Sequence, residues 1–168
     1  MKFGIALASA VDSWKHVRRA EELGFTSSWF YDTQLLNPDI FICMALAAEK
    51  TSRIRLGTGV LIPSNRIEPV AANALATLNR IAPGRIDFGV GTGFTARRTM
   101  GLKAIQLRKM KKYVGRVQEL LSGQVIEWDF ESKNRKLGFL NPDLGLINID
   151  DPIALHISAM GPRSGELV

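Results

Sequence analysis

The chain has 168 residues, of which 46% are apolar and 23% are charged, and it carries a formal net charge of +6. These values are typical of one folded domain with its own apolar core, 1–168, and they exclude a disordered chain. No apolar run approaches the roughly 20 residues of a membrane-spanning helix, so no membrane association is predicted. Cys43 has no partner for an internal disulfide. The N-terminal apolar stretch is too short for a secretory signal peptide, so we expect a cytoplasmic protein.

Apolar runs of strand length alternate with segments of helix length along the chain. Strands are predicted at residues 2–7, 27–31, 54–60, 85–91 and 152–158, and helices at 13–23, 39–50, 69–81 and 104–121. Asp12 or Ser13 is the expected N-cap of the first helix, and Gly24 is expected to end it. Residues 124–151 are predicted to form an irregular insertion before the fifth strand, and another helix begins at Gly161-Pro162.

Repeated strand-helix units predict a parallel sheet with right-handed crossovers, in one of two α/β architectures. A doubly wound sheet would carry its glycine-rich phosphate loop after the first strand, where Ala8 to Asp12 contain no glycine. A (β/α)8 TIM barrel instead places functional loops after every strand, and polar and glycine residues do follow the second to fifth strands. We therefore predict a partial barrel.

A complete barrel takes roughly 250 residues, and this chain supplies about five strands and four helices. Its first and fifth strands would be open edges, which proteins generally avoid. We expect that the C-terminal half is missing, that a further copy in a homo-oligomer or another polypeptide completes the barrel, or that the chain is an unusual closed half.

The stretch Phe88-Gly-Val-Gly-Thr-Gly93, followed by Arg97 and Arg98, is open to two interpretations. It is either the phosphate-binding turn of a dinucleotide fold or the end of a barrel strand whose glycines make room for a flat ligand. Other parts of the chain favour the second interpretation.

An ordered series of segments resembles the bacterial luciferase-like superfamily of flavin and deazaflavin oxidoreductases. Its pieces are Lys2–Ile5, Ala20–Phe25, Trp29–Asp32, Ala48-Glu49, Ile54–Pro63, Asn65-Arg66, Pro69, Ala76–Leu78, Pro83–Arg85, Phe88–Gly93 and Ile157–Pro162. Within the superfamily the series is most similar to the branch around methylene-tetrahydromethanopterin reductase, which uses the deazaflavin coenzyme F-420. The resemblance covers almost the whole chain and implies a barrel about twice as long.

The resemblance also implies a set of site residues. A cis non-proline peptide against the deazaflavin ring would be Gly59-Val60. Loops cradling the ring edge and phosphate would supply Gly91, Thr92, Gly93, Ser158, Ala159 and Gly161. Asp32 matches a recurrent acid at the reactive edge and would be catalytic together with Thr33, which stands where relatives often have His. Phe94 replaces an acid that some relatives carry.

Several residues have a plainer interpretation beside the functional one. Asp32 could cap a turn before Pro38, and Arg97 and Arg98 could be surface residues or could reach an anionic cofactor tail. His156 is expected to be a buried core residue, and the histidines, cysteine and acids show no metal-ligand spacing. The basic segment 97–116 is interpreted first as a solvated helix face and second as a surface that attracts an anionic small molecule. Nucleic acid is disfavoured because no nucleic-acid motif accompanies the charge.

Two classes of function follow. The first is an oxidoreductase that transfers a hydride between coenzyme F-420 and a small organic substrate, with an FMN-dependent monooxygenase as the alternative within the class. The second is a non-catalytic half-barrel that self-associates.

Overall fold

The computed structural model describes residues 1–159 and 161–165. Within them lie the strands β1 (Gly4–Leu7), β2 (Ser27–Phe30), β3 (Arg55–Thr58), β4 (Ile86–Val90), β5 (Ile126–Phe130), β6 (Lys133–Leu137) and β7 (Ala154–Ile157). The helices are α1 (Trp14–Glu22), α2 (Ile40–Lys50), α3 (Glu68–Ile81), α4 (Phe94–Arg98), α5 (Leu107–Leu121) and α6 (Pro162–Gly165), with one 3-10 turn at Pro142–Leu144. None of the helices in this part of the chain is long and apolar enough to cross a membrane.

Five strands form one parallel sheet in the order β1-β2-β3-β4-β7, as expected for consecutive strands of a barrel wall. The predicted α/β partial barrel is confirmed, and each predicted strand is present with shorter ends. Strands β1 and β7 are the two edges, each paired on one side among the described residues. Self-association along these edges stays a prediction.

The outer face of the sheet carries the apolar core, because alternate residues of each strand point toward the covering helices. Phe30, Leu56, Ile86, Phe88 and Val90 are all almost completely buried there. Helices α2, α3 and α5 contribute further fully buried side chains to the same cluster, among them Met44, Leu75 and Met110. This packing makes the sheet a rigid base for the loops that follow its strands.

The inner face of the sheet is polar and aromatic. The Trp29 ring lies across β3 and β4, where a Cβ added to Gly57 would be 2.5 Å from its Cε3 and Cζ3 atoms. A Cβ on Gly59 would be 2.8 Å from Trp29 Cβ, and one on Gly89 would be 3.3 Å from Trp29 Cζ3. Two strand glycines and Gly59, directly after β3, therefore make room for a tryptophan of the protein itself.

An ion pair lies beside the Trp29 ring. The Arg55 guanidinium donates to both oxygens of the Asp87 carboxylate, with Nε–Oδ2 and Nη2–Oδ1 distances of 2.9 and 2.8 Å. The hydrogen bonds to Asp87 raise the pKa of Arg55. His156 Nε2 is 3.3 Å from Asp87 Oδ1, and its ring meets Trp29 edge to face at 4.8 Å.

His156 was predicted to be buried, and this prediction is wrong. Its side chain is 48% exposed although it points to the inner face with Trp29 and Asp87. The physical reason is that β7 is an edge strand among the described residues, so its inward side chains have a neighbouring strand on one side only.

Residues 124–151 are also not irregular throughout, because β5 and β6 form an antiparallel hairpin. Ile126 and Trp128 are buried while Glu127 and Asp129 are exposed, which is the alternation of a half-buried strand. The turn residues Glu131 and Ser132 both have positive φ, at 52° and 59°. Sequence reasoning missed the hairpin because its turn lacks the usual Asn-Gly or Asp-Gly signal.

Ion pairs connect the β5–β6 hairpin to α5. Lys112 Nζ lies 2.9 and 2.8 Å from the two carboxylate oxygens of Asp129, and Arg116 pairs with the same carboxylate. These hydrogen bonds lower the pKa of Asp129 to about 2. The basic segment 97–116 is therefore only partly a solvated face, since two of its cations bind the hairpin.

Some helix ends follow the sequence prediction and others differ from it. Gly24 has φ 85° directly after α1, as predicted for a residue that ends a helix. Ser13 is the N-cap position of α1, but its hydroxyl accepts from the Ala10 amide and does not cap the helix. The longer helix predicted at 104–121 begins at Leu107, and the short α4 before it was not predicted.

Candidate functional site

A cleft with a volume of about 1090 Å³ opens at the carboxyl ends of the parallel strands. Nine of the ten predicted site residues line it: Asp32, Thr33, Gly59, Val60, Gly91, Thr92, Gly93, Ser158 and Gly161. Ala159 is exposed and is not among the lining residues. Strand ends that are far apart in the sequence meet here because all five strands are parallel.

The peptide bond between Gly59 and Val60 is cis, which confirms that prediction. It follows β3 directly, and Leu61 then bridges to Val90 of β4. A Cβ on Gly91 would be 2.6 Å from Val60 Cγ2, so the glycine lets the Val60 side chain lie against β4 at the wall of the cleft.

Gly93 has φ 77° and begins α4, whose Arg97 amide donates to its carbonyl at 2.9 Å. A Cβ at this position would be 2.5 Å from Ile62 Cγ2. The glycines at 89, 91 and 93 thus clear space for Thr58, Trp29, Val60 and Ile62 rather than for a ligand directly. Of these four residues, Val60 and Ile62 line the cleft.

Asp32 is buried, with 7% of its surface exposed, and it anchors the loop after β3. Its Oδ2 accepts hydrogen bonds from the Ile62 amide at 3.1 Å and from Asn65 Nδ2 at 3.2 Å. Its Oδ1 has Arg66 Nη1 at 3.6 Å. Burial raises the pKa of Asp32, although the Ile62 amide, Arg66 and Asn65 all lower it in part. One carboxylate oxygen therefore accepts two hydrogen bonds, and the other forms an ion pair with Arg66.

Thr33 and Gln34 have different roles. Thr33 lines the cleft, and its carbonyl accepts from the Asn37 amide at 2.8 Å in the turn that follows. Gln34 donates to the Ala96 carbonyl at 2.6 Å and accepts from Asn65 Nδ2 at 2.8 Å, so it ties the loops after β2, β3 and β4 together. Asn65 joins Asp32 to this network, and sequence reasoning had noted it only as part of a resemblance.

Ser158 and Gly161 close the far side of the cleft. The Ser158 amide donates to the Val90 carbonyl at 2.9 Å, which continues the β4–β7 pairing. The Gly161 amide donates to Ser164 Oγ at 3.1 Å, and Ser164 Oγ donates to the Gly161 carbonyl at 2.8 Å. Sequence reasoning had not singled out Ser164, since a lone serine carries no pattern.

The remaining walls are mostly apolar. Leu36 and Phe94 line the cleft with 67% and 66% of their surfaces exposed, and Leu107 lies beside them. Within residues 1–159 and 161–165, the lining includes no lysine, arginine or histidine. Such a cleft suits a flat, largely apolar molecule whose polar edge meets Asp32, Thr33 and Ser158.

Arg97 and Arg98 lie outside this cleft. Arg98 stacks over the Phe94 ring, with its guanidinium carbon 5.0 Å from the ring centre. Arg97 donates from Nε to the Lys103 carbonyl and faces a second, smaller cavity.

Comparison with curated proteins finds relatives of this chain. The chain is 29% identical to a 5,10-methylenetetrahydromethanopterin reductase of Archaeoglobus fulgidus, in an alignment covering 99% of this chain and 50% of the relative. It is 31% identical to an F-420-dependent glucose-6-phosphate dehydrogenase of Kineococcus radiotolerans, over 86% of this chain and 45% of the relative. The chain spans about half the length of the curated relatives it matches.

Solved structures show the same fold. A coenzyme F-420-dependent tetrahydromethanopterin reductase from Methanopyrus kandleri matches with a TM-score of 0.76 and 23% identity, over 99% of this chain and 52% of that one. The oxygenating constituent of 3,6-diketocamphane monooxygenase of Pseudomonas putida, solved with FMN, matches with a TM-score of 0.73 and 15% identity, over 96% and 54%.

The family model described as luciferase-like monooxygenase matches residues 6–168, which is nearly the whole chain. The parallel strand order and the curated relatives agree with this match. The chain is therefore a member of the luciferase-like family, whose matched relatives are oxidoreductases and monooxygenases.

Proposed function

We propose that this chain binds the deazaflavin coenzyme F-420 in its cleft and supports hydride transfer between that cofactor and a small organic substrate. The observation that carries the proposal is the meeting of nine predicted site residues in one cleft at the strand ends. The names of the two curated relatives, a methylenetetrahydromethanopterin reductase and an F-420-dependent glucose-6-phosphate dehydrogenase, support the choice of cofactor and reaction class.

The cleft fits a planar ring in size and chemistry. Its volume of about 1090 Å³ is at the upper end of small-molecule sites. Val60 and Ile62 supply an apolar wall, and Thr92 and Ser158 supply hydroxyl groups near its ends. When bound, the cofactor supplies the hydride donor or acceptor, and the protein orients it and excludes water.

Asp32 is the residue best placed to hold a proton. A hydride that leaves a carbon bearing a hydroxyl must be accompanied by loss of the hydroxyl proton, so a base at the reaction site is needed. Asp32 Oδ2 accepts hydrogen bonds from Ile62 and Asn65, whereas Oδ1 has only the longer contact of 3.6 Å with Arg66, so Oδ1 is the oxygen that we assign to proton exchange. Thr33 lies beside it and would orient the substrate by hydrogen bonding.

A cofactor titration tests the proposal. We expect the purified chain to bind oxidised F-420 with a dissociation constant in the micromolar range or below, measured by calorimetry, and to bind FMN at least tenfold more weakly. Tight FMN binding without F-420 binding would replace the proposal by the monooxygenase alternative. Failure to bind either cofactor would support the non-catalytic half-barrel.

Asp32→Asn is expected to lower cofactor-dependent turnover about a hundredfold, the low end of what a general acid or base contributes. Asparagine keeps the size of the side chain and an acceptor for the Ile62 amide but loses the ion pair with Arg66, which keeps Asp39 as a partner. We therefore expect the free energy of unfolding to fall by about 1–2 kcal/mol. Turnover is measured as F-420 reduction by glucose 6-phosphate and as oxidation of reduced F-420 by methylenetetrahydromethanopterin.

Asp143→Asn is the matched control, because it removes the same charge at an exposed position remote from the cleft lining. Equal turnover in Asp32→Asn and Asp143→Asn would show that Asp32 only anchors the loop after β3.

A further inference from the structure

Asp32 lies at the boundary between two cavities. It lines the main cleft, and it also lines a third cavity of about 470 Å³ between the loops after β2 and β3. Arg66 and Asp39 line this third cavity and are not among the residues that line the main cleft. An effect of either residue on chemistry in the cleft is therefore expected to act through Asp32.

The start of α2 holds the Arg66 side chain from two sides. Asp39 forms an ion pair with Arg66, and the Phe41 ring lies against the guanidinium, with 4.7 Å between the guanidinium carbon and the ring centre. The Arg66 side chain is only 17% exposed, so solvent screens these contacts weakly. Its Nη1 atom is 3.6 Å from Asp32 Oδ1. One guanidinium thus lies between two carboxylates.

Asp39 binds Arg66 and the backbone at the same time. As the N-cap of α2, it accepts at Oδ1 from the Phe41 amide at 2.9 Å and from the Ile42 amide at 3.2 Å, while Oδ2 accepts from Arg66. Both oxygens of Asp39 are therefore engaged, and its charge offsets much of the charge of Arg66. Because one cation is shared by two acids, Asp32 is the carboxylate that lacks full compensation.

The charges near Asp32 act in opposite directions. Burial has the largest effect on the pKa of Asp32 and raises it, and the Ile62 amide lowers it. Arg66 lowers the same pKa, whereas Asp39 raises it. Tyr113 of α5 also interacts with Asp32, but burial raises the pKa of Tyr113, so its phenol is uncharged at neutral pH.

We propose that Arg66 and Asp39 are positioning residues that set the proton affinity of Asp32. Arg66 favours the ionised form of Asp32, and Asp39 limits this effect because it holds the same guanidinium at the start of α2. Asp32 can then accept a proton from a substrate hydroxyl and release it again. The inference rests on the proposed function for the role of Asp32 as a base, but the effect on its proton affinity needs no bound cofactor.

Carbon-13 NMR of the cofactor-free chain measures this proton affinity. The carboxyl carbon of Asp32 is followed through a pH titration after labelling of aspartate, and Asp32→Asn identifies its signal. Arg66→Met removes the positive charge and keeps an unbranched apolar side chain over Phe41, so we expect the titration midpoint to rise by about one pH unit or more. Asp39→Asn keeps the N-cap of α2 and frees the guanidinium for Asp32, so the midpoint should fall by about half a unit.

Two further variants serve as controls. Arg66→Lys keeps the positive charge, so its midpoint should lie closer to that of the unsubstituted chain than to that of Arg66→Met. Arg18→Met breaks an ion pair of similar length, since Arg18 Nε is 3.5 Å from Glu22 Oε1 on α1, and it should leave the midpoint unchanged.

The proposal would be overturned if Arg66→Met and Asp39→Asn moved the midpoint in the same direction, or if either variant left it unchanged. If Arg66→Met does not fold, Asp39→Asn decides alone, because a midpoint that does not fall in this variant contradicts the proposal.

The pH dependence of turnover distinguishes this proposal from the proposed function. A base must be unprotonated, so turnover should be lost as the pH falls through the pKa of Asp32. The loss should occur at higher pH in Arg66→Met and at lower pH in Asp39→Asn. If the NMR midpoints move as expected and the pH dependence of turnover does not, then Asp32 is not the base, whereas the effect of Arg66 and Asp39 on its proton affinity stands.

Discussion

Gly89→Ala is expected to lower the free energy of unfolding by about 4 kcal/mol or more, or to prevent folding altogether. The added Cβ would lie 2.0 Å from the Thr58 carbonyl oxygen and 3.2 Å from its carbonyl carbon. Both are backbone atoms of the neighbouring strand, so no rotation of a side chain relieves the overlap. Strands β3 and β4 would have to separate at the centre of the sheet.

The hydrogen bonds around Gly89 increase the expected loss. Thr58 Oγ1 accepts from the Gly89 amide at 2.9 Å and donates to the Gly89 carbonyl at 2.6 Å, and the Leu61 amide donates to the same carbonyl at 2.8 Å. Separation of the strands would break all three bonds in a buried region, where each unsatisfied group costs about 1–3 kcal/mol. The loop that carries the main cleft wall begins at this point.

Urea unfolding followed by circular dichroism measures this effect, with Gly115→Ala as the matched control. Gly115 lies within α5, where an added Cβ has no atom within 4 Å, so alanine should raise stability by about 0.5–1 kcal/mol. If Gly89→Ala unfolded at the same urea concentration as the unsubstituted protein, the packing of β3 on β4 described above would be wrong.

Arg55→Met is expected to lower the free energy of unfolding by about 2–4 kcal/mol. Removing one partner of a buried ion pair leaves the other charge uncompensated, which costs roughly 3–5 kcal/mol when both groups are buried. Asp87 is almost fully buried, but the Arg55 side chain is 38% exposed, so water recovers part of the loss. Arg55 also donates to the Gly84 carbonyl at 2.7 Å and the Ile86 carbonyl at 3.2 Å.

The double variant Arg55→Met, Asp87→Leu distinguishes the loss of the contacts of Arg55 from the effect of the uncompensated charge on Asp87. It removes the uncompensated carboxylate, so we expect it to be more stable than Arg55→Met alone. Equal stability of the single and double variants would mean that the lost packing and backbone bonds of Arg55, and not the charge left on Asp87, account for the effect. Both variants are compared by urea unfolding at neutral pH.

Much of the fold follows from local patterns. Apolar runs at 54–60 and 85–91 are buried β strands, and the amphipathic pattern of 104–121 contains α5, because strand and helix periodicities are properties of neighbouring residues. The hairpin at 126–137 escaped prediction because its turn is built by Glu131 and Ser132, whose left-handed conformations are imposed by the pairing of β5 with β6.

The position of the candidate site could be predicted from the sequence, but the contacts of its residues could not. Asp32, Gly59 and Gly91 follow their strands in the sequence, and parallel strands bring such positions to one edge. The contacts of these residues depend on distant segments. Asp32 bonds to Ile62 and Asn65, and Gln34 reaches Ala96, which no local pattern encodes.

The sequence by itself predicted the five parallel strands, the main helices between them and the edge of the sheet at which the cleft forms, because strand and helix patterns depend on neighbouring residues. The resemblance to the family rested on the ordered series of matching segments. Only the tertiary structure decided what each site residue contacts. It placed Trp29 over Gly57 and Gly89, turned Arg97 away from the main cleft, and buried the Tyr113 hydroxyl without a hydrogen-bond partner among the described residues. Such contacts join residues tens of positions apart, and packing of the whole chain selects them.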